Sequence, residues 1–329
     1  MVRYLTLTLL FFLGAVFVPF HASALTISPV KMEVAGDPSQ ILRGELRLFN
    51  EQGETKIFYS SIENFEARGE SGAPYFLPER EGLATWIRTD GQVILKPKEE
   101  KTVPFSIHIP KNAAPGGHFA AILWGTTAPN SNQGGQVAVG GRLGVLILLK
   151  VSGDVREGGG LLEFRAIKNF FSSLPITLAY RFNNTGGDRI IPAGEITINN
   201  TFGFVSATLP VNKNAGSILP GSARKFEVTW KLAQKNENSE STDTKEARFG
   251  FFEMARRQWH EFHFGWYTAN MHLVYGATNQ TTIAHDRFFI IPWQLLLLMA
   301  MGSLAVGLMG KKALGRYNAW IIRHAGVVR

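Results

Sequence analysis

Glu45-Leu46-Arg47-Leu48-Phe49-Asn50-Glu51-Gln52-Gly53 alternates polar and apolar side chains and then stops at an Asn/Gly turn. Alternation of period two is the mark of a strand with one buried face. The pattern returns as Ala179-Tyr180-Arg181-Phe182-Asn183-Asn184-Thr185-Gly186, which aligns Phe182 with Phe49 at a displacement of 133 positions. Each copy is followed by a proline-bearing turn, Leu95-Lys96-Pro97-Lys98 and Leu219-Pro220-Gly221-Ser222, and then by a strand-like run, Val103 to Ile109 and Phe226 to Trp230. A repeated strand, turn and returning strand predicts a duplicated all-β unit of immunoglobulin-like layout.

The chain around these two copies fits that reading. Thr102 to Ile109 alternates and ends at Pro110, while Phe119 to Trp124 and Leu143 to Val151 are apolar enough for buried strands. About 260 residues between the terminal segments suit two domains. The boundary is expected within Ser152 to Gly160, because three consecutive glycines order at high entropic cost. The expected domains cover 25–155 and 156–286. Gln234 to Glu246, polar and of low complexity, predicts a mobile loop in the second. Tyr267 to Tyr275 alternates like a last sandwich strand.

Both ends carry membrane features. Phe288 to Gly310 is an uncharged apolar run of 23 residues, followed by Lys311 and Lys312, and predicts a transmembrane helix over 287–310. At the other end, Arg3, the apolar stretch Leu5 to Phe20 and Ala22-Ser23-Ala24 read as a signal peptide over 1–24, cleaved between Ala24 and Leu25. The tail 311–329 holds five basic residues and no acidic one, so it is expected in the cytoplasm and the N-terminal part outside it.

This partition accounts for the net charge of +8. With Arg3 and the tail set aside, 28 basic residues face 26 acidic ones, so the basic balance reports topology and no nucleic-acid partner is expected. There is no cysteine, which excludes disulfide staples, thiol catalysis and cysteine-held metals. A disulfide-free extracytoplasmic protein of this size reads as bacterial.

A signal peptide, two immunoglobulin-like domains, a late single span and a short basic tail together resemble the WxL-interacting proteins of bacterial surfaces. The resemblance is carried by TISPVKMEVAGDPSQILRGELRLFN, LKPKEEKTVPFSIHIP, PKNAAPGGHFAAILW and GGRLGVLILLKVSGD, within residues 26–154. It implies a peptidoglycan-binding first domain; the second domain matches only in architecture. The N-domains of periplasmic pilus chaperones look similar through the same N-terminal strand and proline turn, but lack a span.

Catalytic chemistry finds little footing. His260-Glu261-Phe262-His263 has one residue too few for the zinc-binding H-E-x-x-H helix, and reads instead as an aromatic, partly exposed hairpin. Glu63 and Glu66 read as surface strand carboxylates rather than a glycosidase pair. Gly134-Gly135 and Gly140-Gly141 lack phosphate-loop spacing, and no ectodomain serine sits in G-x-S-x-G. The expectation is a non-enzyme with no cofactor and no metal. Candidate binding residues fall in two places. One is His118, in the turn Pro115 to Phe119. The other is the aromatic segment with Arg256, Arg257, Trp259, Phe262, Trp266 and Tyr267, which suits a partner interface, a membrane interface or core equally. The expected partner is cell-wall peptidoglycan or a surface protein; an accessory subunit of a membrane or surface-assembly complex, with chaperone-like sandwich domains, is the alternative, and an envelope hydrolase the third reading.

Overall fold

A computed structural model describes residues 25–77, 81–128, 141–231 and 250–325. The segment 1–24 expected as a signal peptide, Gly134, Gly135 and Gly140, and the polar stretch 234–246 lie outside them. The chain divides into two compact units, one running to Val155 and one from Arg156, with Ala67–Ala73 grouped with the second.

In the first unit two sheets enclose one core. One sheet has the order β1 (Leu25–Ser28), β3 (Ile41–Asn50), β8 (Glu100–His108), β6 (Ile87–Thr89). The other runs β2 (Lys31–Gly36), β10 (Arg142–Val151), β9 (Gly116–Gly125), β4 (Lys56–Ala67), β5 (Pro74–Leu77), with β7 (Gln92–Leu95) paired to β4. The first strand switches sheets at Pro29: β1 is antiparallel to β3, and β2 is parallel to β10. A short helix, α1 (Gly82–Trp86), adds Leu83 to the core. Alternation puts Leu46, Leu48, Val103 and Ile107 inward from one sheet, against Phe58, Ile122, Trp124 and Ile147 from the other. Each of those side chains is almost wholly removed from water, which contributes about 1.5–3 kcal/mol apiece.

The second unit repeats the scheme. A three-stranded sheet, β11 (Gly159–Ala166), β13 (Ile176–Asn184), β16 (Ala223–Trp230), faces a five-stranded one. The latter is ordered β12 (Phe170–Phe171), β18 (Gln280–Ile290), β17 (Gly265–Tyr275), β14 (Ala193–Asn199), β15 (Val205–Pro210). Ile176, Leu178, Tyr180 and Phe182 line one side of the core; Ile196, Ile198, Met271, Leu273, Phe288 and Ile290 line the other. Tyr180 stacks on Phe226 with ring centroids 4.8 Å apart, and its hydroxyl donates to the Val211 carbonyl at 3.1 Å. Burial pushes that phenol well above the ordinary tyrosine value of 10.0, although the nearby Arg224 pulls the other way.

Four sequence expectations are corrected. Gly159 and Gly160 lie within β11 rather than in a linker. At Gly159 a Cβ would stand 2.9 Å from both Ile190 and Phe182, so glycine is what lets the strand approach the core there. Tyr267–Tyr275 is not the last strand, because β18 pairs with β17 over its full length. Phe288 to Ile290 therefore belong to a strand, with Phe288 and Ile290 in the core, and the apolar helix α3 (Trp293–Ala325) starts five residues later than the apolar run. Finally, His260–His263, expected as an aromatic hairpin, starts instead at the last residue of a ten-residue helix, α2 (Phe251–His260).

Candidate functional site

The helix α2 has three distinct sides, because successive residues advance about 100° around the axis. Ala255 and Gln258 are buried, with Phe251 and Met254 half-buried beside them. Phe252, Arg256 and Trp259, spaced i, i+4, i+7, share a second side that is exposed; Trp259 retains 64 % of its accessible surface. Glu253 and His260 occupy a third, polar side. Arg257 pairs with Glu261 one turn on, at 3.3 Å.

Gln258 ties α2 to the start of α3. Its amide nitrogen donates to the Ser172 carbonyl at 3.1 Å and to Oε1 of Gln294, while its own oxygen accepts the Leu295 N–H at 3.0 Å. The first turn of a helix leaves backbone N–H groups without partners, and Gln258 fills one of these from a neighbouring helix. Phe251 packs edge-on against Trp293 at 5.9 Å, closing the same junction.

Beyond α2 the chain returns to the sheet through a second group of aromatics. His263 donates from Nδ1 to the Glu261 carbonyl at 2.9 Å and stands edge-on to Trp230 at 5.2 Å. Tyr267 is buried and stacks on Phe288 at 5.9 Å, and burial raises its phenol above the ordinary value. Phe264 and Trp266 instead cover Phe289 edge-on at 5.8 and 5.1 Å, with their outer faces in solvent. The aromatic segment thus separates residue by residue: Tyr267 is core, Arg257 is spent in a local ion pair, and Arg256, Trp259, Phe262 and Trp266 are exposed.

His118 belongs to the first unit. Its Nε2–H donates to the Ala114 carbonyl at 2.8 Å and its ring lies 4.7 Å from Trp86, so it fastens a turn and is not joined to the aromatic group. His260 is exposed at the end of α2 while His263 faces Trp230, and among the described residues no cluster of three metal-ligating side chains forms. Glu63 is paired with Arg142.

One feature of the first unit was not legible in the sequence. Arg43 and Arg88 sit at the same register on either side of Ser106, on β3, β6 and β8. With Glu45, Thr89 and Asp90 they line an open groove of about 610 Å³ on the outer face of that sheet. The residues are far apart in the chain, and only strand register brings them into a row.

No family model matches the chain, and no curated protein matches it. Among solved structures the chain is similar to the class 5 fimbriae chaperone CfaA, at 11 % identity over 80 % of this chain and 99 % of that one, with a TM-score of 0.38. It is also similar to the E. coli chaperone DraB, at 10 % identity over 81 % and 97 % of the two chains and a TM-score of 0.33. The YadV chaperone gives 10 % identity, 80 % and 99 % coverage, and a TM-score of 0.34.

Proposed function

We propose that this chain is a non-catalytic, membrane-anchored binding protein. Two immunoglobulin-like sandwiches are held at a bacterial membrane surface, where they serve a membrane or surface assembly as an accessory subunit. The observation that carries this reading is α3. Its 31 residues from Trp293 to Arg323 are long and apolar enough to cross a bilayer, and only 6 % of its most apolar window is buried within the protein. A helix that apolar and that bare favours a span over a core helix. It follows β18 after two residues and is fixed to α2 through Gln258, so the anchor and the second sandwich are one construction. The basic residues after Gly310 support an orientation with the tail in the cytoplasm and the sandwiches outside.

The groove beside Arg43 and Arg88 favours a second reading. Its alternating charges and hydroxyls suit a polar glycan or peptide, and the resemblance to WxL-interacting proteins points to peptidoglycan. One experiment separates the two readings. Photoreactive residues are placed singly over both sandwiches in the full chain, crosslinked in intact cells, and the adducts compared with retention on purified cell wall. A discrete protein adduct without wall retention supports the accessory-subunit reading. Wall retention that is lost in Arg88→Ala supports the groove reading, and neither result would remove the binding function altogether.

A further inference from the structure

The exposed aromatics of the second unit gather at one end of it. Strands β17 and β18 are paired from Gly265↔Ile290 to Tyr275↔Gln280, so Trp266, opposite Phe289, marks the end from which α3 departs. The turn between β14 and β15 reaches the same end. Asn199 is paired with Thr268, and the Thr201 hydroxyl donates to the Trp266 carbonyl at 2.9 Å. That turn carries Phe202 and Phe204, which are 83 % and 71 % exposed. On the helix side, Phe252 and Trp259 face solvent from α2, which packs against the first turn of α3, and Trp293 is itself half exposed.

Three separate segments thus place unburied aromatic rings around the root of an apolar helix. Aqueous exposure of so many rings is unfavourable, because apolar surface is stabilised by leaving water. Tryptophan and tyrosine are enriched where a membrane meets water, and interfacial amphipathic helices lie in that plane with a face of Trp, Phe and Leu turned to the lipid. Arg256 lies on the same side of α2 as Phe252 and Trp259, where a guanidinium can pair with lipid phosphate.

We propose that this end of the second unit is seated in the headgroup layer of the phospholipid bilayer, with α2 lying along the surface and the Phe202–Phe204 turn dipping into it. The proposal rests on α3 being a membrane span and adds that the sandwich is docked on the membrane rather than hung from it.

The absence of cysteine makes the test direct, since a single introduced cysteine is the only labelling site. Nitroxide labels are placed in the full chain at Phe202→Cys, Trp259→Cys, Val306→Cys and Thr281→Cys. The protein is reconstituted into liposomes of phosphatidylethanolamine and phosphatidylglycerol, which contain no partner protein. Position 281 lies near the opposite end of the sheet, about 30 Å from Ile290 at the usual strand rise. The expected result is a ratio of oxygen to aqueous-nickel collisions several-fold higher at 202 and 259 than at 281, and highest at 306. If 306 is immersed and either 202 or 259 is as aqueous as 281, docking is overturned while the span stands. If 306 is aqueous as well, the span reading fails and docking falls with it.

Discussion

Asn50 and Asn184 make the same hydrogen bonds in the two units of the chain. Each is fully buried at the end of a long strand, and each carboxamide oxygen accepts the N–H two residues on, from Gln52 at 3.0 Å and Gly186 at 2.9 Å. Each amide nitrogen donates four residues on, to Glu54 and Asp188, and across to the turn before the returning strand, at Leu95 and Lys96 or at Ile218. The backbone agrees: Asn50 N–H donates to Glu99 and its carbonyl accepts from Lys98, as Asn184 does with Ser222 and Gly221. The sequence repeat aligned Asn50 with Asn183, one residue short. Strand geometry corrects this, because Asn184 is the inward residue and Asn183 is its neighbour on the opposite face.

Asn50→Ala and Asn184→Ala are each expected to cost about 2–3 kcal/mol, since buried carbonyls and N–H groups are left without partners. Replacement by Asp should be no milder, because a carboxylate cannot donate to Leu95 or Ile218. Calorimetric melting of the detergent-solubilised full chain checks this, with N50A and N184A expected to weaken different units.

The turns behind the two asparagines carry different residues at one shared backbone position. Lys98 has φ 58° and Gly221 has φ 67°, both in the left-handed region. Only glycine enters that region freely, so Lys98→Gly should stabilise the first unit by about 0.5–1 kcal/mol and Gly221→Lys should weaken the second by a similar amount. Gly194→Ala should be far worse, about 2–4 kcal/mol, because its φ is 125° and a Cβ would lie 2.1 Å from the His272 carbonyl oxygen. Urea melts of the three variants test the order.

Gln258→Leu keeps the bulk of the side chain but removes its three hydrogen bonds to Ser172, Gln294 and Leu295. The stranded buried groups should lower stability by about 2–4 kcal/mol and loosen α2 from α3. Limited proteolysis in detergent is expected to cut within 251–260 in the variant and to spare the parent.

Burial keeps Tyr180 neutral above its ordinary pKa, so the folded state holds a proton that the unfolded chain releases near pH 10.0. The stability from this group is complete below that pH and is lost as pH rises beyond it. Tyr180→Phe should cost about 1 kcal/mol at neutral pH through the lost bond to Val211, and should flatten the alkaline decline. Some slope is expected to persist, because burial raises Tyr267 in the same direction.

Most strands were legible because a half-buried strand writes its two faces into alternate positions, as in β3, β8 and β17. The start of α3 was not. Phe288 and Ile290 are apolar because they fill the sandwich core, and the run continues into residues that are apolar for another reason. A hydropathy run cannot mark where one cause gives way to the other. The helix α2 escaped because two of its sides are apolar, one toward the core and one toward solvent, which blurs the 3.6-residue period. The groove at Arg43 and Arg88 depends on strand order and register, which no local pattern encodes.

The anchoring role of α3 is tested most directly by alkaline carbonate extraction of membranes from cells expressing the full chain. The parent should stay in the membrane pellet, and a variant carrying Leu304→Arg and Leu308→Arg on the exposed apolar surface of α3 should shift to the soluble fraction or fail to insert. Release of the unaltered chain by carbonate, at the level of a peripheral protein, would contradict the membrane-anchored account.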